Sequence, residues 1–181
     1  MPTWEHLVAT LAIFAIGSAL HFAYSWLGEW RPSALLAAVN ESVWEHLKIA
    51  FWPALLWSLL RWRGNTCSDT SYWAARSFGL LTTSFVIIGV FYGYTAILGD
   101  NLLPVDIATF ALAIFAGQLV AARALRWVER ARKLRVSGLG LLIAQIAAFA
   151  TLTFFPPHLP LFEDPRNGFY GLKAYESTRN R

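Results

Sequence analysis

A single cysteine, Cys67, stands among the 181 residues. That excludes an intramolecular disulfide and any metal site built from several thiolates. Charge is scarce too, at 14% of residues, against 56% hydrophobic, which is outside the range of ordinary soluble domains. The chain has no HExxH pair, no internal repeat and no low-complexity tract. No basic segment precedes its first apolar run, which exceeds a typical signal-peptide core and reads as a retained span.

What is abundant points to a bilayer. Thirteen Phe and nine Trp exceed what a small soluble core can use, and Trp and Tyr settle at membrane interfaces. Mean hydropathy is +0.45 and the pI about 9.5. Topology explains the cations better than nucleic acid does, so no nucleic-acid partner is expected. The pattern predicts an all-α, polytopic membrane protein with one domain and about five transmembrane helices in one bundle. The spans are about 7–27, 43–62, 74–98, 104–125 and 138–155, followed by a tail at 156–181. About 20 apolar residues cross a hydrocarbon core of roughly 30 Å. Pro53 falls inside the second span, and Gly89 and Gly93 are spaced for close helix contact in the third.

Lys and Arg set the orientation. The 61–76 and 122–136 connections hold nine of them, whereas the loops on the other side hold only Arg31. The positive-inside rule then puts the N-terminus in the cytoplasm and the tail outside, in a plasma (inner) membrane. Most acidic residues, including Glu29, Glu41, Glu45, Asp100, Asp106 and Asp164, fall on the outer side with His21, His46 and His158.

The densest polar segment is Asn40-Glu41-Ser42-Val43-Trp44-Glu45-His46-Leu47-Lys48, which runs straight into an apolar stretch. Ionisable groups at the mouth of a span are the default place to look for function. Ser42 and Glu45 also form a capping-box pair, and Glu45 can reach Lys48 three residues on. His46 is rotated about 100° from Glu45. Gly17, Ser18, His21, Tyr24, Ser25 and Gly28 form a small, polar stripe that should face other helices. Within that stripe His21 is either a metal ligand or proton carrier, or one end of an interhelical hydrogen bond. Asp106 reads as a helix cap. The four prolines between Pro156 and Pro165 stiffen either a lid carrying His158 and Asp164 or a plain exit segment.

The Asn40–Lys48 run, with His21-Phe22-Ala23-Tyr24 before it and Phe155-Pro156-Pro157-His158-Leu159-Pro160-Leu161-Phe162 after the last span, resembles a family of small prokaryotic multi-pass membrane proteins of unknown function. The resemblance covers essentially the whole chain. It implies a five- or six-span helical membrane protein and brings no activity or site residues with it.

Two functions remain open on these residues. In the first, His21, His46 and His158 supply metal ligands, Asp164 a further ligand, and Glu41 or Glu45 a ligand or general base. The protein is then a metal-dependent enzyme, with zinc as the example of a divalent metal, acting on a lipid or lipid-linked head group. In the second, a non-catalytic bundle binds or conducts a cation, proton or lipid, or serves as an accessory subunit of a membrane complex.

Overall fold

The structure, a computed structural model, describes residues 3–64 and 67–173. The charges at Glu176, Arg179 and Arg181 lie outside the described residues. The described residues form five α-helices: α1 (Thr3–Trp26), α2 (Val43–Trp62), α3 (Asp69–Leu98), α4 (Leu103–Arg130) and α5 (Arg132–Thr151). Short 3-10 turns occupy Arg31–Leu35 and Pro160–Phe162, and the described residues contain no strand beyond one isolated bridge between Glu163 and Tyr170.

By length and composition α1, α3, α4 and α5 can cross a membrane. α2 falls where the sequence places it, at 43–62, but is not among those four. Glu45, His46 and Lys48 in its first two turns dilute an otherwise apolar helix. The arginine-rich connection expected at 122–136 is almost entirely helix, because α4 runs on to Arg130 and α5 begins at Arg132, with Ala131 between them. Arg, Leu and Ala are good helix formers, so the charges there end the apolar run without ending the helix. α5 stops at Thr151 instead of 155, where β-branched Thr151 and Thr153 precede the Pro156-Pro157 pair that disfavours helix before it.

α1 to α4 form a ring: α1 lies against α2 and α4, and α3 lies against the same two. α5 packs outside, on α3 and α4. Its Phe149 reaches across to stack on Trp44 and Phe51 of α2, both with ring centroids 4.5 Å away. Two contacts within the ring of α1 to α4 demand glycine. A Cβ on Gly79 would sit 2.5 Å from the Gly117 carbonyl oxygen, and one on Gly17 would sit 2.7 Å from that of Ile49. Gly89 and Gly93, by contrast, have nothing within 4 Å, so the close contact expected there is not made. Ile87 and Phe91 turn into the bundle's cavity. Each glycine follows two residues later, about 200° around the helix, and faces out.

The outward faces are apolar. Leu11, Ile97, Leu112 and Ile143 are each more than 60% exposed, one from each of the four apolar helices. Water tolerates such a surface poorly and lipid does not oppose it.

Candidate metal centre

The 27–42 connection, the start of α2 and the segment after α5 meet at the end of the ring opposite the arginines. Ser42 caps α2, its Oγ accepting the Glu45 N–H at 3.4 Å. The other half of the expected capping box does not form. The Ser42 N–H donates to Asn40 Oδ1 at 2.8 Å, and Glu45 turns elsewhere.

Glu45 and Lys48 form a fully buried ion pair, 1% and 0% exposed. Glu45 also accepts from the Val39 N–H at 3.1 Å and the Thr153 hydroxyl at 2.8 Å. Lys48 donates to the Ala34 carbonyl at 2.7 Å and to Thr153 Oγ1 at 3.0 Å. Charges this deep persist only when paired and hydrogen-bonded, and these are. The network ties α2 to the 3-10 turn before it and to the segment after α5. Glu45, expected as ligand or base, has its oxygens engaged in this network and does not line the cavity.

His46, one residue on and about 100° around the helix, points the other way. Its Nδ1 lies 2.9 Å from the Ser42 carbonyl oxygen. A carbonyl only accepts, so Nδ1 carries a proton, and in the neutral form of the ring the lone pair is at Nε2. That Nε2 is 3.3 Å from His21 Nε2. Glu41 Oε2 completes the group, 3.5 Å from His21 Nε2 and 3.8 Å from His46 Nε2. Glu41 lies just before the helix, which lets its side chain reach both rings instead of stacking a turn below Glu45. The His21 hydrogen bond is the largest influence on Glu41 and holds its carboxyl below the usual carboxylate range. Burial opposes this, and the charges of His21, His46 and Arg166 reinforce it.

His21, Glu41 and His46 offer donor atoms within 4.8 Å of one another, the His/Cys/Asp/Glu group among the described residues with metal-binding spacing. The fit can be tested. Donors 2.0–2.2 Å from a tetrahedral ion stand roughly 3.3–3.6 Å apart; two of the three separations here match and the third is slightly longer.

The other expected ligands are not in this group. Asp164 is buried, and its oxygens accept the N–H of Glu41 at 3.5 Å and of Arg166 at 2.8 Å. It holds the two chain segments together and borders the cavity without joining the triad. His158 packs its ring against Tyr170, centroids 4.6 Å apart, and does not line the cavity. Asp106 is no simple cap: it takes the Tyr94 hydroxyl and the Asn101 amide, cross-linking α3 to α4. Arg166 had no sequence signal, yet its Nη2 lies 3.2 Å from Glu41 Oε1.

The triad opens on a cavity of about 1350 Å³. Ser18, His21 and Ser25 from the polar stripe of α1 line it, as the stripe's spacing predicts. Phe14, Ile49, Ile87 and Phe110 give it an apolar interior, while Asp100, Asp106 and Arg166 border it where helices end. No curated protein and no solved structure matches this chain. Residues 2–172 match the model of a family of unknown function, DUF6512, and the chain belongs to that family.

Proposed function

We propose that this protein is an integral membrane metalloenzyme whose His21–Glu41–His46 centre acts on a lipid or lipid-linked head group. The observation that carries the reading is the Nε2 lone pair of His46. It is fixed by the Ser42 carbonyl and aimed at a second imidazole and a carboxylate at metal-ligand spacing. Two imidazoles and one carboxylate are a recurring catalytic zinc set, because a fourth position stays open. A divalent cation there would polarise a carbonyl or phosphoryl oxygen and activate water.

The chain's own residues supply the rest. Glu41 provides the negative charge, and Asp164 fixes the backbone that carries it. Arg166, exposed and beside Glu41, suits an anionic head group. The Phe14–Ile49–Ile87–Phe110 interior suits its apolar chain. In this reading all five helices cross the membrane, α2 being shielded by its neighbours. The arginine-rich end is cytoplasmic and the centre lies at the outer leaflet of the plasma membrane.

A non-catalytic binding bundle is the second reading. The Arg166–Glu41 pair favours it, since that pair balances the carboxylate's charge with no ion present. Metal analysis of detergent-purified protein tests the proposal. We expect close to one zinc, manganese or iron per chain, lost in His46→Ala and His21→Ala while helix content is kept. Each variant should weaken affinity by more than the roughly ten- to hundredfold that changes in supporting residues cost. Wild-type protein that carries no metal, and takes none up on incubation, refutes the enzyme reading. A cytoplasm-only fluorescent reporter fused to the C-terminus checks the orientation and should stay dark.

A further inference from the structure

The opposite end of the ring holds a second convergence of polar groups. Arg76, two turns into α3, is 8% exposed. Its Nη1 donates to Gln118 Oε1 of α4 at 3.0 Å, and its guanidinium lies 5.1 Å from the Tyr72 ring centroid. No carboxylate among the described residues pairs with it. The acidic side chain nearby, Glu5 of α1, is engaged by Arg61 of α2 at 3.2 Å. Arg61, Arg76, Gln118, Glu5 and His6 border one small pocket, with Trp4 and Trp57 beside them. All four ring helices contribute to it.

Within this group the two guanidiniums face one carboxylate. A buried charge is costly unless compensated, and a neutral amide with an aromatic face compensates a guanidinium only in part. An anion is the partner that would complete the compensation. The pocket measures about 90 Å³, room for several waters and so for a tetrahedral oxyanion. A guanidinium presents a planar fork of N–H donors that matches phosphate two oxygens at a time. Trp rings are the side chains that settle at head-group depth, and here they border the pocket.

We propose that this pocket binds a phosphate group, gripped by Arg76 with Arg61 and His6 beside it. The group belongs to either a phospholipid head or free phosphate. The site is independent of the His21–Glu41–His46 centre, and neither proposal depends on the other.

The test uses full-length, chelator-treated protein in detergent, so that no phosphate can attach to a metal ion. Inorganic phosphate is titrated by calorimetry, and phosphatidylglycerol retention is read by native mass spectrometry against diacylglycerol. We expect the protein to bind at least one phosphate probe and to show no preference for diacylglycerol. Binding of both probes identifies a general phosphate site; binding of the lipid alone identifies a head-group site. Arg76→Gln should weaken binding about tenfold or more, as expected for one charge-assisted contact. Arg76→Lys, which keeps the charge and loses the fork, should fall between, and covers the case in which the Gln variant misfolds. Lys133→Gln, an exposed charge outside the pocket, should bind as wild type does. Wild-type protein that binds neither probe overturns the proposal. So does loss of binding in Lys133→Gln with Arg76→Lys unaffected.

Discussion

Glu45→Gln separates the two polar systems that sit side by side at the start of α2. The substitution keeps the shape of the side chain and one acceptor for the Thr153 hydroxyl or the Val39 N–H. It removes the counter-charge of Lys48, which is 0% exposed and otherwise holds only the Ala34 carbonyl and Thr153 Oγ1. Breaking a buried pair by removing one partner costs about 3–5 kcal/mol, because the remaining charge is stranded. In a chain of this size each 1 kcal/mol moves the melting midpoint by about 2–4 °C. The expected fall is therefore roughly 6–20 °C.

Circular dichroism melts in detergent measure this shift. The double variant Glu45→Gln/Lys48→Met should recover much of the loss, since no charge is then stranded. Metal content of the folded Glu45→Gln protein should stay much closer to wild type than that of His46→Ala, because Glu45 supports the centre without belonging to the triad. A wild-type melting midpoint in Glu45→Gln would refute the buried-pair reasoning. Metal loss at an unchanged midpoint would transfer Glu45 to the centre itself.

Glu41 gives a pH prediction with a definite sign. Its folded-state carboxyl titrates below the ordinary range, chiefly through His21 and with help from Arg166. The stability it contributes is then present above the unfolded-state value and is lost as pH falls through the folded one. Arg166→Gln should move that loss to higher pH; acid-unfolding profiles that superimpose would refute it. Glycine substitutions form a contrasting pair. Gly117→Ala places a methyl 2.1 Å from Thr83 Oγ1 and 2.7 Å from the Gly79 carbonyl, and should cost about 1–3 kcal/mol. Gly93→Ala meets nothing within 4 Å and should be neutral or raise stability by up to about 1 kcal/mol. Equal melting shifts for the two would refute the close packing of α3 on α4.

The helices were legible because long apolar runs carry their own signal, and α2 appears at 43–62 as its pattern predicts. Their ends were less legible: charge stops an apolar run, but arginine and leucine continue a helix, as 122–136 shows. His21 and His46 were legible as ionisable groups near span ends, although an interhelical hydrogen bond accounted for His21 equally well. Lys48 was signalled by its three-residue spacing from Glu45. Arg166 and Thr153 were not, because each reaches its partner across more than 100 residues of chain and no local period encodes such a meeting. Gly89 and Gly93 show the opposite error. Their spacing marks one face of α3 but does not say which face meets a neighbour.

One turn of helix accounts for the division of labour at this end of the protein. Residues 45 and 48 share a face, and residue 46 lies about 100° away. The shared face is sealed by Val39, Ala34 and Thr153, so the pair Glu45–Lys48 pins the loop before α2 against both its own helix and the end of α5. That loop carries Glu41. Pinning it fixes where the Glu41 carboxylate meets His21 and His46, two residues from opposite sides of the α1–α2 contact at Gly17 and Ile49. The buried pair therefore shapes the centre without entering it. A carboxylate and an ammonium do here what an apolar pair of similar volume could not: their hydrogen bonds capture the Val39 N–H and the Ala34 carbonyl of the loop.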